Sequence, residues 1–285
     1  GRATLTGNAT SMTVSSLTNV PYLMVLHLSN SDDDGVEQMQ FNGDTSSNYS
    51  TRFSSGGTEQ SYGEDSSFLQ LHGNTNELGA VFTVTYINNI ASREKLASWH
   101  SVGDGQRNST SSAYRDNPVR LEGSGKWDNT SDAINSITIR RNTANFVSGS
   151  EMVVLGFDPA NTTSATGGFW EELGDVTLDE TADILNTPTF TAKKYLHLQW
   201  FIKKSGNAMT NLVFNDETAD TNYCSRRSYN GANESVYEGG AQPSDNGMYI
   251  GLGDETGNRF NDFFIGNKAS WDKMIIGHTA DARTT

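Results

Sequence analysis

The chain has 285 residues, a formal net charge of -14 and a single cysteine, Cys224. An acidic surface disfavours nucleic acid and anionic membranes as partners, and a lone thiol excludes an internal disulfide or a cysteine-built zinc site. There is no run of about 18 apolar residues, so no membrane insertion by a helix is expected.

Hydrophobic residues make up 34% of the chain and aromatic residues 10%. The apolar runs are short and rich in β-branched residues, with Asn, Ser, Thr, Gly and Asp between them, which predicts an all-β fold. In chain order, strands are expected over residues 12–17, 22–28, 36–41, 68–72, 81–87, 95–102, 134–140 and 152–157. Both faces of the segment 22–28 are apolar, which fits a central strand. The stretch VRLEGSGKW, 119–127, also reads as a strand. The one helix-like segment, ASREKLA, is too short to hold a helix. This density of short strands and polar turns predicts a two-sheet sandwich of jelly-roll type.

The pattern then starts again. Tyr22-Leu23 returns as Tyr195-Leu196, Phe41-Asn42 as Phe214-Asn215, and YINNIASREKLASWH (86–100) as FIGNKASWDKMIIGH (264–278). The spacing between copies drifts from 173 residues (Tyr22 to Tyr195) to 178 (Ala91 to Ala269). The expected organisation is therefore a tandem of jelly-roll-like sandwiches: a first repeat over 1–158, a linker over 159–174 and a second repeat over 175–285. The strands that follow His100 in the first copy have no counterpart in the second, which is incomplete in this sequence. Neither end reads as a natural terminus, so a fragment, a processed product or the ordered part of a longer protein is expected.

The loop FNGDTSSNYSTRF, 41–53, is repeated as FNDETADTNYCSRR, 214–227. Asn42-Gly43-Asp44 is turn chemistry. Asn48 is read as a cap of the next strand, Tyr49 as a residue for a sheet edge, and Arg52 as a partner of Asp44. Asn222, Tyr223 and Arg226 take the same places in the second copy, with Arg226 beside Glu217. These six are the candidate ligand or corner residues.

Asn30, Asp32 and Asp34 open a partial calcium-loop pattern, but its twelfth position is Phe41 where a glutamate is needed. Glu171 and Glu172 are adjacent carboxylates, which do not face one another across a sugar as glycoside hydrolysis requires. The five histidines lack metal-ligand spacing. His100 and His278 hold equivalent places at a strand end, where a structural hydrogen bond is expected. No catalytic, cofactor or metal set emerges, and the chain is not expected to be an enzyme. Sequons stand at Asn8, Asn48, Asn108, Asn129, Asn161 and Asn233.

FNGDTSSNYSTR, YINNIASREK and KWDNTSDAINSITIRRNTANFVSGSEMVVLGF together resemble a domain widespread in virion proteins of tailed bacteriophages and marine viruses. The resemblance covers residues 3–157 in the first copy and 176–278 in the second. It implies a β-sandwich module on a virion surface: tail fibre, head fibre or capsid decoration. It implies partners among other copies of the chain, other virion proteins and host-surface glycans. The alternative is a carbohydrate-binding adhesin or extracellular filament protein, with sugars stacked on aromatics such as Trp99, Trp127 or Trp271.

Overall fold

The computed structural model describes residues 1–33, 35–75, 79–103, 118–160, 170–178, 184–204, 210–219, 222–228, 235–238, 247–251 and 257–283. All regular structure among them is β. In the first repeat the strands are β1 (Arg2–Thr4), β2 (Ser11–Val14), β3 (Tyr22–Asn30), β4 (Gly35–Phe41), β5 (Tyr49–Ser55), β6 (Thr58–Ser66), β7 (Leu69–Thr75), β8 (Ala80–Asn88), β9 (Lys95–Gly103), β10 (Val119–Trp127), β11 (Ile137–Arg141) and β12 (Glu151–Phe157). The second repeat holds β13 (Tyr195–Lys204), β14 (Thr210–Leu212), β15 (Cys224–Arg227), β16 (Ser235–Glu238), β17 (Met248–Gly251), β18 (Gly257–Gly266) and β19 (Met274–Arg283).

An eight-stranded sheet, ordered β1-β12-β3-β8-β9-β10-β5-β6, faces a four-stranded sheet ordered β2-β11-β4-β7. Every ladder is antiparallel. Their inner faces enclose one core, with Val25, Leu121 and Trp127 from the large sheet against Met12, Met39 and Ile139 from the small one. Strand period decides who enters it: alternate residues point to opposite faces. Along β3, Leu23 and Val25 face this core, while Leu26 and Leu28 face away. That is why the strand reads apolar on both faces: each side of the large sheet is covered.

The second cover is the sheet β13-β18-β19. Phe264, Met274 and Ile276 pack on Leu26, Leu28, Phe82, Val84, Val102 and Val153, with Tyr195, Trp170 and Trp271 around them. The Phe82 and Tyr195 rings stack at 6.0 Å. At the rim Lys194 Nζ donates to the buried Glu151 carboxylate at 2.6 Å, and Lys268 Nζ to the Gly149 carbonyl at 2.9 Å.

Strand pairing repeats with the sequence. Tyr22 pairs with Asn88 and Tyr195 with Gly266, which are shifts of 173 and 178 residues. Ile87 pairs with Ala97 and Ile265 with Ile275, a shift of 178 on both strands. Met39 opposite Leu69 becomes Leu212 opposite Met248, and the bulge that follows lies between Gln38 and Glu37 in one copy and between Asn211 and Thr210 in the other. The β5–β6 hairpin returns as β15–β16.

The differences from the sequence reading are local. β2 ends at Val14 instead of 17, and β11 starts at Ile137 instead of 134. β5 and β6 were not expected: YSTRFSS and TEQSYGEDS are mostly polar, and only Tyr49, Thr51 and Phe53 of β5 reach the core side. In ASREKLA the first residues turn, and Lys95 onward belongs to β9.

Candidate functional site

The repeated loop is a corner built around a tyrosine. Asn42 and Gly43 adopt left-handed backbone, with φ of 53° and 69°, as do Asn215 and Asp216, with φ of 51° and 57°. Asparagine, aspartate and glycine tolerate this region best. The turn lets the Asp44 amide donate to the Phe41 carbonyl at 2.9 Å, and the Glu217 amide to Phe214 at 3.0 Å. The Tyr49 hydroxyl accepts from the Phe41 amide at 2.9 Å and donates to the Asp44 carbonyl at 3.2 Å. The Tyr223 hydroxyl does the same with Phe214 at 3.1 Å and Glu217 at 2.8 Å. The Ser46 amide donates to the Asp44 carboxylate, and the Ala219 amide to that of Glu217, each at 2.8 Å.

Among the described residues only the first corner is closed from above. The Trp127 indole donates to Asp44 Oδ2 at 2.7 Å, and its ring stacks on Tyr49 at 6.2 Å. Asn48 Nδ2 donates to the same carboxylate at 2.9 Å. Burial lifts the Asp44 pKa, but these hydrogen bonds and those of Ser46 outweigh it and hold it at about 2.

Four expectations for these residues are corrected. Tyr49 is fully buried between β10 and β6, not at a sheet edge, because its ring completes the Phe41–Trp127 cluster. Arg52 points to the solvent face and pairs across the hairpin with Glu59 at 2.5 Å, not with Asp44, whose carboxylate is turned inward. Arg226 Nε donates to the Pro118 carbonyl at 2.7 Å instead of pairing with Glu217. Asn48 bonds Asp44 within the loop and does not cap the strand through its amide. Asn222 is exposed beside the half-buried Tyr223.

Asp32 does not present a calcium ligand. Its carboxylate accepts from the Asn145 amide at 2.8 Å, from Asn145 Nδ2 at 2.9 Å and from Asn8 Nδ2 at 3.4 Å, joining two loops. Asn30 Oδ1 accepts from the Ser31 amide at 2.8 Å. Asp34 lies outside the described residues. Among those residues no group of three His, Cys, Asp or Glu side chains is placed to hold a metal ion.

One charged cluster was not singled out by sequence. At one end of the first sandwich Glu37, Arg141, His27 and His72 are all buried. Arg141 lies 3.4 Å from Glu37 and donates to the Gly35 carbonyl at 2.9 Å. Ser29 donates to Glu37 at 2.6 Å, and His72 Nδ1 meets Ser101 Oγ at 2.9 Å. His27 Nδ1 sits 3.4 Å from Glu37 Oε2, without hydrogen-bond alignment. Burial raises the Glu37 pKa, and His27, Arg141 and His72 together pull it down further, to about 2. Burial pushes the His72 pKa down to about 4, against the pull of Glu37. The equivalent positions in the second repeat carry Trp200, Thr210 and Gly251 in place of His27, Glu37 and His72. The only sequence signal was polar residues at inward-facing strand positions.

The remaining candidates also find structural partners. His100 Nδ1 and His278 Nε2 meet at 3.2 Å across the two repeats, in the middle of β9 and β19 and not at strand ends. Trp99 and Trp127 are buried and unavailable to a sugar; Trp271 is half-buried with Lys268 Nζ 3.4 Å from its ring centre. Glu171 pairs with Lys193 at 2.7 Å, and Glu172 is exposed. Of the sequons, Asn8, Asn48 and Asn129 donate their amides to Asp32, Asp44 and Asp132. Asn108, Asn161 and Asn233 lie outside the described residues.

No protein-family model, no curated protein and no solved structure matches this chain.

Proposed function

We propose that this chain is a structural building block of a virion surface, of tail-fibre, head-fibre or capsid-decoration type. The observation that carries the reading is the conserved pairing of the two repeats: the same ladders, bulge and tyrosine corner are built twice. The corner tyrosines common to both copies serve geometry, since the hydroxyls of Tyr49 and Tyr223 hold the backbone of their turns. This is what a module repeated for extension and assembly needs, where position and stiffness are the product. The sequence resemblance to phage and marine-virus virion domains supports the same reading, as does the acidic surface, which favours solubility. The adhesin reading is weakened by the burial of Trp99 and Trp127.

The test is immunogold electron microscopy of purified virus particles from the source culture, with antibody raised against the chain. Regularly spaced label on fibres or shell is expected. Particles that remain unlabelled while antibody binds free protein in the same culture would overturn the proposal.

A further inference from the structure

Two strands bring a pair of histidines to the seam between the repeats. On β9, His100 lies two residues before Val102, and on β19, His278 lies two residues after Ile276. Alternate residues share a face, so each histidine stands on the face that carries the seam. His278 is the copy of His100 at a shift of 178 residues. Because the repeats pack through equivalent faces, the histidine meets its own copy. His100 Nδ1 stands 3.2 Å from His278 Nε2, with ring centres 5.0 Å apart.

Each ring has a carboxylate beside it. Glu122 is the cross-strand neighbour of His100, and Asp262 that of His278. Glu122 Oε1 lies 3.4 Å from His100 Nε2, the other nitrogen of that ring. It favours a proton there, which leaves the Nδ1 lone pair to face His278. Carboxylates behind metal-bound histidines set the ring in the same way. Arg120 Nη1 donates to the same Glu122 oxygen at 2.5 Å and holds it in place. Asp262 Oδ1 accepts from Gln199 Nε2 at 3.0 Å and meets His197 Nε2 at 2.6 Å. Burial, the His278 ring and Arg120 hold the His100 pKa down at about 3, so its imidazole is neutral near neutral pH.

The span of the pair fits a shared ion. Two imidazole nitrogens, each about 2.0–2.1 Å from a tetrahedral zinc ion, lie about 3.3 Å apart. At this distance the two rings can share either a proton or a metal ion.

We propose that His100 and His278 together bind a divalent transition-metal ion, of which zinc is the type, and that the ion clamps the two repeats. Imidazole nitrogens suit such ions, whereas calcium and magnesium take oxygen ligands. No group of three His, Cys, Asp or Glu side chains among the described residues completes a closed centre. The site is therefore an open one, with water in its remaining positions and an ion that exchanges. His100 is mostly enclosed and His278 is exposed, which gives the ion a path of entry. The net charge of -14 raises the concentration of cations near the surface. Neither repeat holds the pair alone. An ion bound to both rings stabilises the packed arrangement over the parted one, by an amount that grows with its free concentration.

The test uses the metal-stripped 285-residue protein near neutral pH. Zinc chloride should raise the Tm in a saturable way, and calorimetric titration should give one ion per chain. Copper(II) in its place should give an electron paramagnetic resonance spectrum with two bound nitrogens. His278→Gln changes an exposed side chain, so it should fold as the parent does, and it should bind zinc at least tenfold more weakly. His197→Gln should leave the zinc response as it is in the parent. Hydrogen exchange at Phe82, Val84 and Ile276 should slow when zinc is added. A Tm indifferent to zinc would overturn the proposal. So would a zinc response that survives in His278→Gln, a copper spectrum with a single nitrogen in the parent, or a response that appears only when light scattering shows chains associating.

Discussion

The Tyr49 hydroxyl holds both ends of a four-residue turn, taking the Phe41 amide and giving to the Asp44 carbonyl. Removing it leaves a buried amide without its acceptor, a loss of about 1–3 kcal/mol. Tyr49→Phe should therefore lower the stability of the first repeat by that amount in urea titration. Tyr223→Phe breaks the same two bonds at a half-exposed corner where water can replace them, so its cost should be well under half. Equal costs would show that enclosure by Trp127 does not strengthen the corner. The turn at Asn42-Gly43 was legible in the sequence because its residue types point to left-handed backbone. The fate of Arg52 was not: charge and proximity along the chain favoured Asp44, but the Asp44 carboxylate is taken up by Ser46, Asn48 and Trp127, and Arg52 meets Glu59 across the hairpin.

Among elements, the inward positions of β3, β4, β7 and β9 change from apolar to polar along the strands, from Val25 to His27 and Ser29 and from Met39 to Glu37. This buried cluster makes the first sandwich sensitive to acid. The folded pKa of His72, about 4, lies below its ordinary 6.5. The unfolded chain then binds the proton first, and stability falls as pH drops from about 6.5 towards 4, by on the order of 3 kcal/mol for this group. Glu37, held at about 2 against an ordinary 4.5, adds stability that is present above pH 4.5 and lost below it. Thermal melts from pH 7 to pH 4 should show a falling midpoint that begins near pH 6.5, and His72→Asn should flatten the upper part of that fall. A midpoint indifferent to pH between 6.5 and 4 would remove His72 from this account. Period-two alternation made most strands legible before the structure. It failed for β5 and β6, whose apolar positions are few. It also hid the polar cluster, because His27 and Glu37 look like solvent-facing residues until the facing sheet is placed over them. In β10 a different constraint operates: Gly123 is needed for the Trp99 ring. Gly123→Val should destabilise the first repeat by about 1–3 kcal/mol through overpacking, measured by chemical denaturation, and Trp99→Gly in the same chain should recover part of it.

At the scale of the molecule, the two repeats pack through equivalent faces. The outward residues of β8 and β9 in the first copy meet those of β18 and β19 in the second, and His100 meets its own counterpart His278. The contact is one-sided along these faces. Tyr22, Tyr86, Leu96 and Phe157 of the first repeat and Phe201 and Phe260 of the second remain exposed. Between the repeats lies a small apolar seam that includes Phe264 and Ile276. A carboxylate placed there loses hydration without gaining a partner, at a cost of a few kcal/mol. Ile276→Asp should therefore part the repeats without unfolding the first, whose own core lies on the far face of the large sheet. Small-angle scattering should report a larger radius of gyration, and calorimetry should resolve two transitions, the later one matching the parent. Hydrogen exchange should rise at Leu26, Phe82 and Val84 while Val25 and Met39 stay protected. If the variant instead melts in one transition at lower temperature with no change in radius, the seam is part of a single cooperative unit, and the first repeat depends on the second to keep its large sheet covered.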